Sequence, residues 1–324
     1  MAKVVREELI RRLAAGQFVS GQVIGEELGV SRTAISKHIK VLTEMGLDIF
    51  SVQGKGYKLA SPIQLLEQKL ITQHLKQQGL DNVVEVHSLI DSTNSYLMRR
   101  LPNNVTHGQV CVAEYQSAGR GRRGKEWVSP FGSHLYLSMY WYLEQGLVAA
   151  MGISLVVGIA VSDVLKQQYN LDVQLKWPND IYVNGVKLAG ILVELEGQSI
   201  GPGNCVIGLG LNIAMPEQSA NKIDQPWIDM QQAIGATVDR NILSAKLIAK
   251  ISERLEQHHK YGLAPMLSDW QRQDYFINKA VKLITGAKET RGICRGINSS
   301  GALLLEVDGK QQPIYGGEVS LRGA

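Results

Sequence analysis

The 324-residue sequence has only three cysteines, Cys111, Cys205 and Cys294, widely spaced and each in an apolar stretch. So scattered an odd number argues against a disulfide frame or a thiolate metal site and predicts reduced, buried thiols in a cytosolic protein. No basic-then-apolar leader opens the sequence, which argues against secretion. The longest apolar stretch, residues 147–161, is interrupted by Ser154 and carries Gly152 and Gly158. It is too short to span a bilayer, so it predicts a buried helix and no membrane partner. Internal repeats and low-complexity tracts are missing, which excludes solenoid and tail-like designs. No Ser-His-Asp or Cys-His nucleophile stands out either.

A strong charge of one sign is also lacking, since the net charge is only +4. Most of it is local: residues 1–60 hold nine Lys+Arg against six Asp+Glu, and the rest holds 25 against 24. What the chain does have is a 44% apolar, 20% charged composition, ordinary for a globular protein, and length for two or three domains.

Val4, Val5, Leu9, Ile10 and Leu13 share one helical face, and Gly16 ends that helix. Ser20 can cap a second short helix and Ser31 a third, with a tight turn at Gly29 between them. Residues 21–40, from Gly21 to Lys40, thus read as a helix-turn-helix. The third helix exposes Arg32, Thr33, Ser36, Lys37 and Lys40, residue types that bond phosphates and base edges. Residues 48–59 read as a β-hairpin with Lys55 at a glycine-flanked tip, the wing of a winged helix. The plainer reading is a helical protein-interaction domain; the basic third helix and the wing favour DNA. Pro62 disfavours helix at Ser61, so the first domain is placed at 1–62.

A connecting helix is expected over 64–78. Beyond it, strands are expected at 83–90, 110–115, 135–141, 173–176, 181–183, 188–194 and 205–213. Helices are expected at 93–101, 148–168, 229–236 and 241–260. Short turns between many strands make this an α+β domain with a mixed or antiparallel sheet.

Gly119-Arg120-Gly121-Arg122-Arg123-Gly124 matches GxGxxG in form only. A dinucleotide motif must open a helix, whereas this loop runs through Trp127 and Pro130 into another strand. Glycines bearing guanidinium groups suit a loop that folds over an anionic ligand, since guanidinium pairs with carboxylate or phosphate. A basic surface or RNA-binding loop is the alternative. Lys187 follows a glycine turn and enters an apolar strand; it needs either an anionic partner or a route to water.

Together, Asp91-Ser92-Thr93-Asn94, Glu114-Tyr115-Gln116, the loop 119–124, Trp127, Lys176-Trp177-Pro178-Asn179-Asp180, Lys187–Gly190 and Gly208-Leu209-Gly210-Leu211-Asn212 resemble the biotin–protein ligase family. The whole chain is similar to its bifunctional bacterial branch, whose members also repress the biotin operon. Lys125, where the family often has arginine, is a small departure that keeps the charge.

The resemblance implies a catalytic domain at 63–277 and a small C-terminal SH3-like β-barrel at 278–324. It implies that Ser92, Thr93, Asn94, Gln116, Arg120, Gly121, Arg122, Lys187 and Gly190 bind biotin. Trp127, Lys176, Asn179, Asp180, Asn212 and Arg322 would bind the nucleotide, and Lys187 and Arg122 would be catalytic. It further implies ATP with Mg2+ (whose protein ligands remain unknown), biotinyl-5'-AMP as intermediate and corepressor, and transfer of biotin to a lysine of the biotin carboxyl carrier protein of acetyl-CoA carboxylase. Operator DNA and a ligand-dependent homodimer complete the expectation for a cytoplasmic protein. The alternatives are a lipoate–protein ligase of the same superfamily and a ligand-sensing repressor without ligase activity.

Overall fold

The computed structural model describes residues 2–197, 201–316 and 319–323. α1 (Ala2–Ala14) buries Val5, Leu9, Ile10 and Leu13, while Val4, expected on the same face, lies one step round the helix and is exposed. Ser20 and Ser31 accept from the N–H groups of Val23 (3.4 Å) and Ala34 (3.1 Å), which starts α2 (Gly21–Glu27) and α3 (Arg32–Glu44). The wing is β1 (Ile49–Val52) paired with β2 (Gly56–Leu59). Val19 bridges to Tyr57 beside it, and a Cβ on Gly56 would lie 2.2 Å from the Val19 carbonyl oxygen.

The connecting helix starts later than its sequence suggests: α4 spans Gln68–Lys76. Residues 64–67 stay outside it because side chains take their backbone groups. Arg240 and Asn241 donate to the carbonyls of Gln64 (2.7 Å) and Leu65 (3.0 Å), Glu114 accepts from Leu66 N–H, and Asn241 accepts from Glu67 N–H (2.7 Å).

The central domain runs β3 (Val84–His87), α5 (Thr93–Met98), β4 (Val110–Ala113), β5 (His134–Leu143), α6 (Ile153–Tyr169), β6 (Gln174–Lys176), β7 (Asp180–Val183), β8 (Val186–Gly197), β9 (Gly203–Asn212), α7 (Glu217–Ala220), α8 (Met230–Ile234), α9 (Arg240–Tyr261) and α10 (Leu267–Gln273). The sheet order is β3-β4-β5-β9-β8-β7-β6, with only the β3–β4 pair parallel, so the expected mixed sheet is present. α7 and α10 were not legible in the sequence: α7 is one turn, and α10 buries only Trp270 and so shows no stripe.

The helix expected at 148 begins at Ile153, because Leu147–Ala150 form a single 3-10 turn and Gly152 takes φ +82°. Residues 147–169 together are long and apolar enough to cross a membrane, so length does not decide their place. Packing does: α6 is buried from Ile153 to Leu165 along most of its length, against the sheet and α9.

Strand alternation gives the sheet two unlike faces. One face carries Leu135, Leu137, Met139, Ile191, Ile207, Leu209 and Leu211 into the main core. The other carries Ser138, Gly190, Gly208, Gly210 and Asn212, and over its glycines Asn94 and Trp127 come close to the backbone.

The C-terminal domain is β10 (Ala280–Thr285), β11 (Lys288–Ile297), β12 (Leu303–Val307), β13 (Lys310–Ile314) and β14 (Val319–Gly323), antiparallel in the order β13-β12-β11-β10-β14. Its inward residues, among them Val281, Leu283, Cys294 and Leu303, join the main core. All three cysteines are buried and unpaired, as expected. The first domain is not loosely strung: Leu89 and Phe131 of the central domain complete its core, and Phe131 N–H donates to Met45 O at 2.8 Å.

Candidate active site

The floor of the site is the glycine-rich face. In register, Gly190 faces Gly210 on the neighbouring strand and Ser138 faces Gly208. A Cβ on Gly208 would meet Asn94 Oδ1 at 2.3 Å, and one on Gly210 would meet the Trp127 indole at 2.6 Å. Glycine is required there for close approach.

At one end lies a polar network. Ser92 caps α5, which puts Thr93 and Asn94, both buried, in its first turn. Gln116 Oε1 accepts from Thr93 N–H (2.9 Å) and lies 3.1 Å from Thr93 Oγ1, while its amide nitrogen donates to Ser129 (3.2 Å). Ser138 Oγ bridges Thr93 Oγ1 (2.7 Å) and Asn94 Oδ1. Asn94 donates to Glu194 at 2.8 Å. Arg120 forks onto both oxygens of Glu194 (2.8 Å each) and reaches the hydroxyls of Ser95 and Ser92 (2.5 and 3.4 Å). Ser92, Thr93, Asn94, Gln116 and Arg120 are thus brought together.

The loop between them folds as a tight hairpin. Gly121 N–H donates to Lys125 O (2.7 Å), Trp127 N–H donates to Gly119 O (2.9 Å), and Arg120 bridges to Glu126. Arg122–Gly124 is one 3-10 turn with Arg123 at φ +59°, not the start of a helix, so the phosphate-loop reading fails on geometry.

At the other end the cations gather. Lys187 has the anionic partner its position demands: its ammonium lies 2.8 Å from Asp180 and 5.5 Å from the Trp127 ring centroid. Trp127 covers Gly190 and Gly210, and its buried indole N–H has no protein partner among the described residues. Arg122 donates to Asn179 Oδ1 (3.0 Å), and Asn179 in turn donates to Ile191 O (2.8 Å); burial pushes the Arg122 guanidinium below its usual pKa. Lys176 donates to Tyr182 OH (2.9 Å). Burial lowers its pKa, Asp180 opposes this, and the charge of Arg322 on β14 adds to the lowering. Asn212 is buried and donates to Ile228 O (3.0 Å).

Several residues were missed by sequence reasoning. Ser129, Ser138, Ser95 and Glu194 hold the polar network, and the backbone of 226–228 grips Lys187 through Lys187 N–H to Pro226 O (3.3 Å) and Ile228 N–H to Lys187 O (2.9 Å). The one available signal was alternation: glycine at 208 and 210, in a strand otherwise apolar, marks a face kept bare.

In the first domain, Arg32, Thr33, Ser36, Lys37 and Lys40 are all exposed on α3, and Lys55 is exposed at the wing tip, 5.7 Å from the Phe18 ring centroid.

The chain is similar to known proteins along its length. Residues 86–212 match the biotin/lipoate A/B protein ligase family, residues 5–58 an HTH domain, and residues 276–322 the biotin protein ligase C-terminal domain. The bifunctional ligase/repressor BirA of Salmonella typhimurium is 52% identical over 316 residues, 98% of this chain and 97% of the relative. The biotin–[acetyl-CoA-carboxylase] ligase of Paracoccus denitrificans is 33% identical over 237 residues, covering 72% of this chain and 98% of the relative. The biotin protein ligase from Aquifex aeolicus, solved with biotin and ATP, superposes with a TM-score of 0.64 at 27% identity, covering 75% of this chain and all of that one. With the glycine floor, the cation cluster and the DNA-binding head in place, this chain belongs to the biotin–protein ligases, in their bifunctional ligase/repressor branch.

Proposed function

We propose that residues 63–277 join biotin to ATP as biotinyl-5'-AMP and pass the biotinyl group to a lysine of a biotin carboxyl carrier protein. Residues 1–62 bind operator DNA and residues 278–324 complete the nucleotide side. The observation that carries this reading is Lys187, held by Asp180 and Trp127 beside a glycine floor, with Arg122, Lys176 and Arg322 nearby.

A carboxylate is a poor acyl donor. Its oxygen attacks the α-phosphorus of ATP, pyrophosphate leaves, and a mixed anhydride remains. Both reactants are anionic, so the site must supply fixed positive charge where negative charge builds up. Lys187 and Arg122 are assigned to the biotin carboxylate and α-phosphate, Lys176 to the departing phosphates. Burial leaves little water to share the charge of Lys176 and lowers its pKa. Ser92, Thr93, Asn94, Gln116, Arg120, Gly121 and Gly190 form the biotin end, and Trp127, Asn179, Asp180, Asn212 and Arg322 border the nucleotide. Mg2+ would enter on the ATP phosphates, where it would offset their negative charge. Asp180 would border it. In the second step a neutral amine attacks the acyl carbon and AMP leaves.

Biotinyl-5'-AMP would also serve as corepressor by favouring a homodimer with two DNA-binding heads. ATP, carrier protein and operator meet in the cytoplasm, which is where we place the protein. Biotin-dependent exchange of pyrophosphate into ATP tests the reading: we expect exchange with biotin and none with lipoate. Exchange with lipoate alone would sink the assignment.

A further inference from the structure

We propose that Glu194 is a positioning residue: its charge fixes the direction of the hydrogen bonds at the biotin end and anchors the root of the Gly-Arg loop. The inference rests on the ligase reading for its substrate but not for its geometry.

Glu194 lies on β8, on the same face as Gly190 and Leu192. It is the acidic side chain to which two parts of the site attach. Arg120, at the start of the loop, contacts both carboxylate oxygens at 2.8 Å. Asn94, in the first turn of α5, donates to Oε2 at 2.8 Å.

A carboxylate only accepts hydrogen bonds. The Asn94 amide must therefore turn its nitrogen to Glu194 and its oxygen to Ser138. The Ser138 hydroxyl has one proton, and it goes to Asn94 Oδ1. The Thr93 hydroxyl is left to donate to Ser138 Oγ at 2.7 Å, while Gln116 Oε1 accepts from Thr93 N–H at 2.9 Å. Gln116 then turns its nitrogen to Ser129, whose hydroxyl donates to Trp127 O at 2.8 Å. One negative charge thus orders Asn94, Ser138 and Thr93 in series, and the Thr93 N–H fixes Gln116 and through it Ser129. A cyclic urea, with two N–H donors and one carbonyl acceptor, is the ligand for which such an order matters. A neutral amide at 194 can present either end to Asn94, which leaves the order to the longer Asn94 bond to Leu192 O at 3.3 Å and weakens it.

The same carboxylate holds the loop root, because a forked Arg–carboxylate contact fixes orientation as well as distance. Arg120 is followed by Arg122 after one glycine, so a released root displaces the guanidinium next to Asn179.

Glu194→Gln and Glu194→Asp separate the two roles. The Gln variant should raise KM for biotin in pyrophosphate exchange about tenfold, the loss expected for a hydrogen bond to a charged group, with kcat changed much less. The Asp variant keeps the charge and should restore KM to within about threefold, yet its shorter arm cannot hold the fork. Limited trypsin digestion reads that second role without any biotin chemistry: cleavage after Arg122, Arg123 or Lys125 should be faster in both variants at unchanged global stability. Wild-type KM in the Gln variant, or an Asp variant as impaired in KM as Gln, overturns the directing role. Wild-type cleavage in the Asp variant overturns the anchor, whether or not the Gln variant folds. Absence of biotin-dependent exchange in the unmodified protein would instead strike the ligase reading and leave the digestion result standing.

Discussion

A single ammonium at the head of β8 carries much of the proposed chemistry. Lys187→Ala should slow adenylate formation by about 10²–10³, the loss found on removing one preorganised charge-stabilising donor. The denaturation midpoint should also fall, because the Lys187–Asp180 pair is mostly buried, with side chains 15% and 18% exposed, and Asp180 is left without its cation. A single-turnover rate equal to wild type would refute its role. A different residue contributes to the loss of stability in acid. His134 is completely buried, accepts from Ile213 N–H at 3.1 Å and leaves Nε2 without a partner among the described residues, and burial pushes its pKa down to about 3. The unfolded chain binds its proton near pH 6.5 and the folded one does not, so the unfolded state holds more protons between these values. Stability contributed by neutral His134 is present above pH 6.5 and is lost as pH falls toward 3, by up to about 1.4 kcal/mol per pH unit. In His134→Asn, urea midpoints at pH 7 and pH 4.5 should lie closer together than in wild type; an unchanged gap would contradict this.

At the scale of elements, the hairpin 119–127 joins the two ends of the site, since Arg120 contacts Glu194 and Arg122 contacts Asn179. Arg122→Gly removes the second attachment and should let the adenylate escape before transfer. The sign is biotin on bystander lysines of an unrelated protein mixed with the enzyme. A variant that stays specific and retains adenylate as well as wild type would show that the loop is no lid. The glycine strands make the complementary element: on β8 and β9 one face had to be apolar to bury α6 and α9, and the other had to be bare to admit Asn94 and Trp127. Period-2 alternation lets one strand do both.

For the molecule as a whole, the first domain and the catalytic domain share a core. Removing residues 1–60 should abolish DNA binding and also uncover Leu89 and Phe131, now 8% and 2% exposed. Phe131 follows Ser129, which holds Gln116, so biotin binding should weaken while ligation partly survives. Full ligation with unchanged KM for biotin would show that the shared core is inert. A lone winged helix with a net +3 should hold DNA weakly, and two heads on one dimer bind far better because the second contact is intramolecular. Biotin with ATP should therefore raise both self-association and affinity for a palindromic site. Equal dimer populations with and without adenylate in sedimentation would rule that switch out.

The sequence by itself determined what is local or repeated along the chain. Ser20 and Ser31 announce α2 and α3 because a cap needs only its own turn, and the two faces of β5, β8 and β9 follow from a two-residue period. The resemblance named Lys187, Arg122, Gln116 and Trp127 together because their motifs keep a fixed order. Tertiary structure alone decided what depends on distant partners. Residues 64–67 do not extend α4 because Glu114, Arg240 and Asn241, far along the chain, take their backbone groups. Residues 147–169 have the apolarity of a membrane span, and their contact with the sheet and α9 makes α6 a core helix. Glu194 looked like any strand-end acid; folding brought Arg120 and Asn94, 74 and 100 residues away, to its two oxygens. Local patterns carry their own physics, whereas a charge gains its role from partners that only the folded chain delivers.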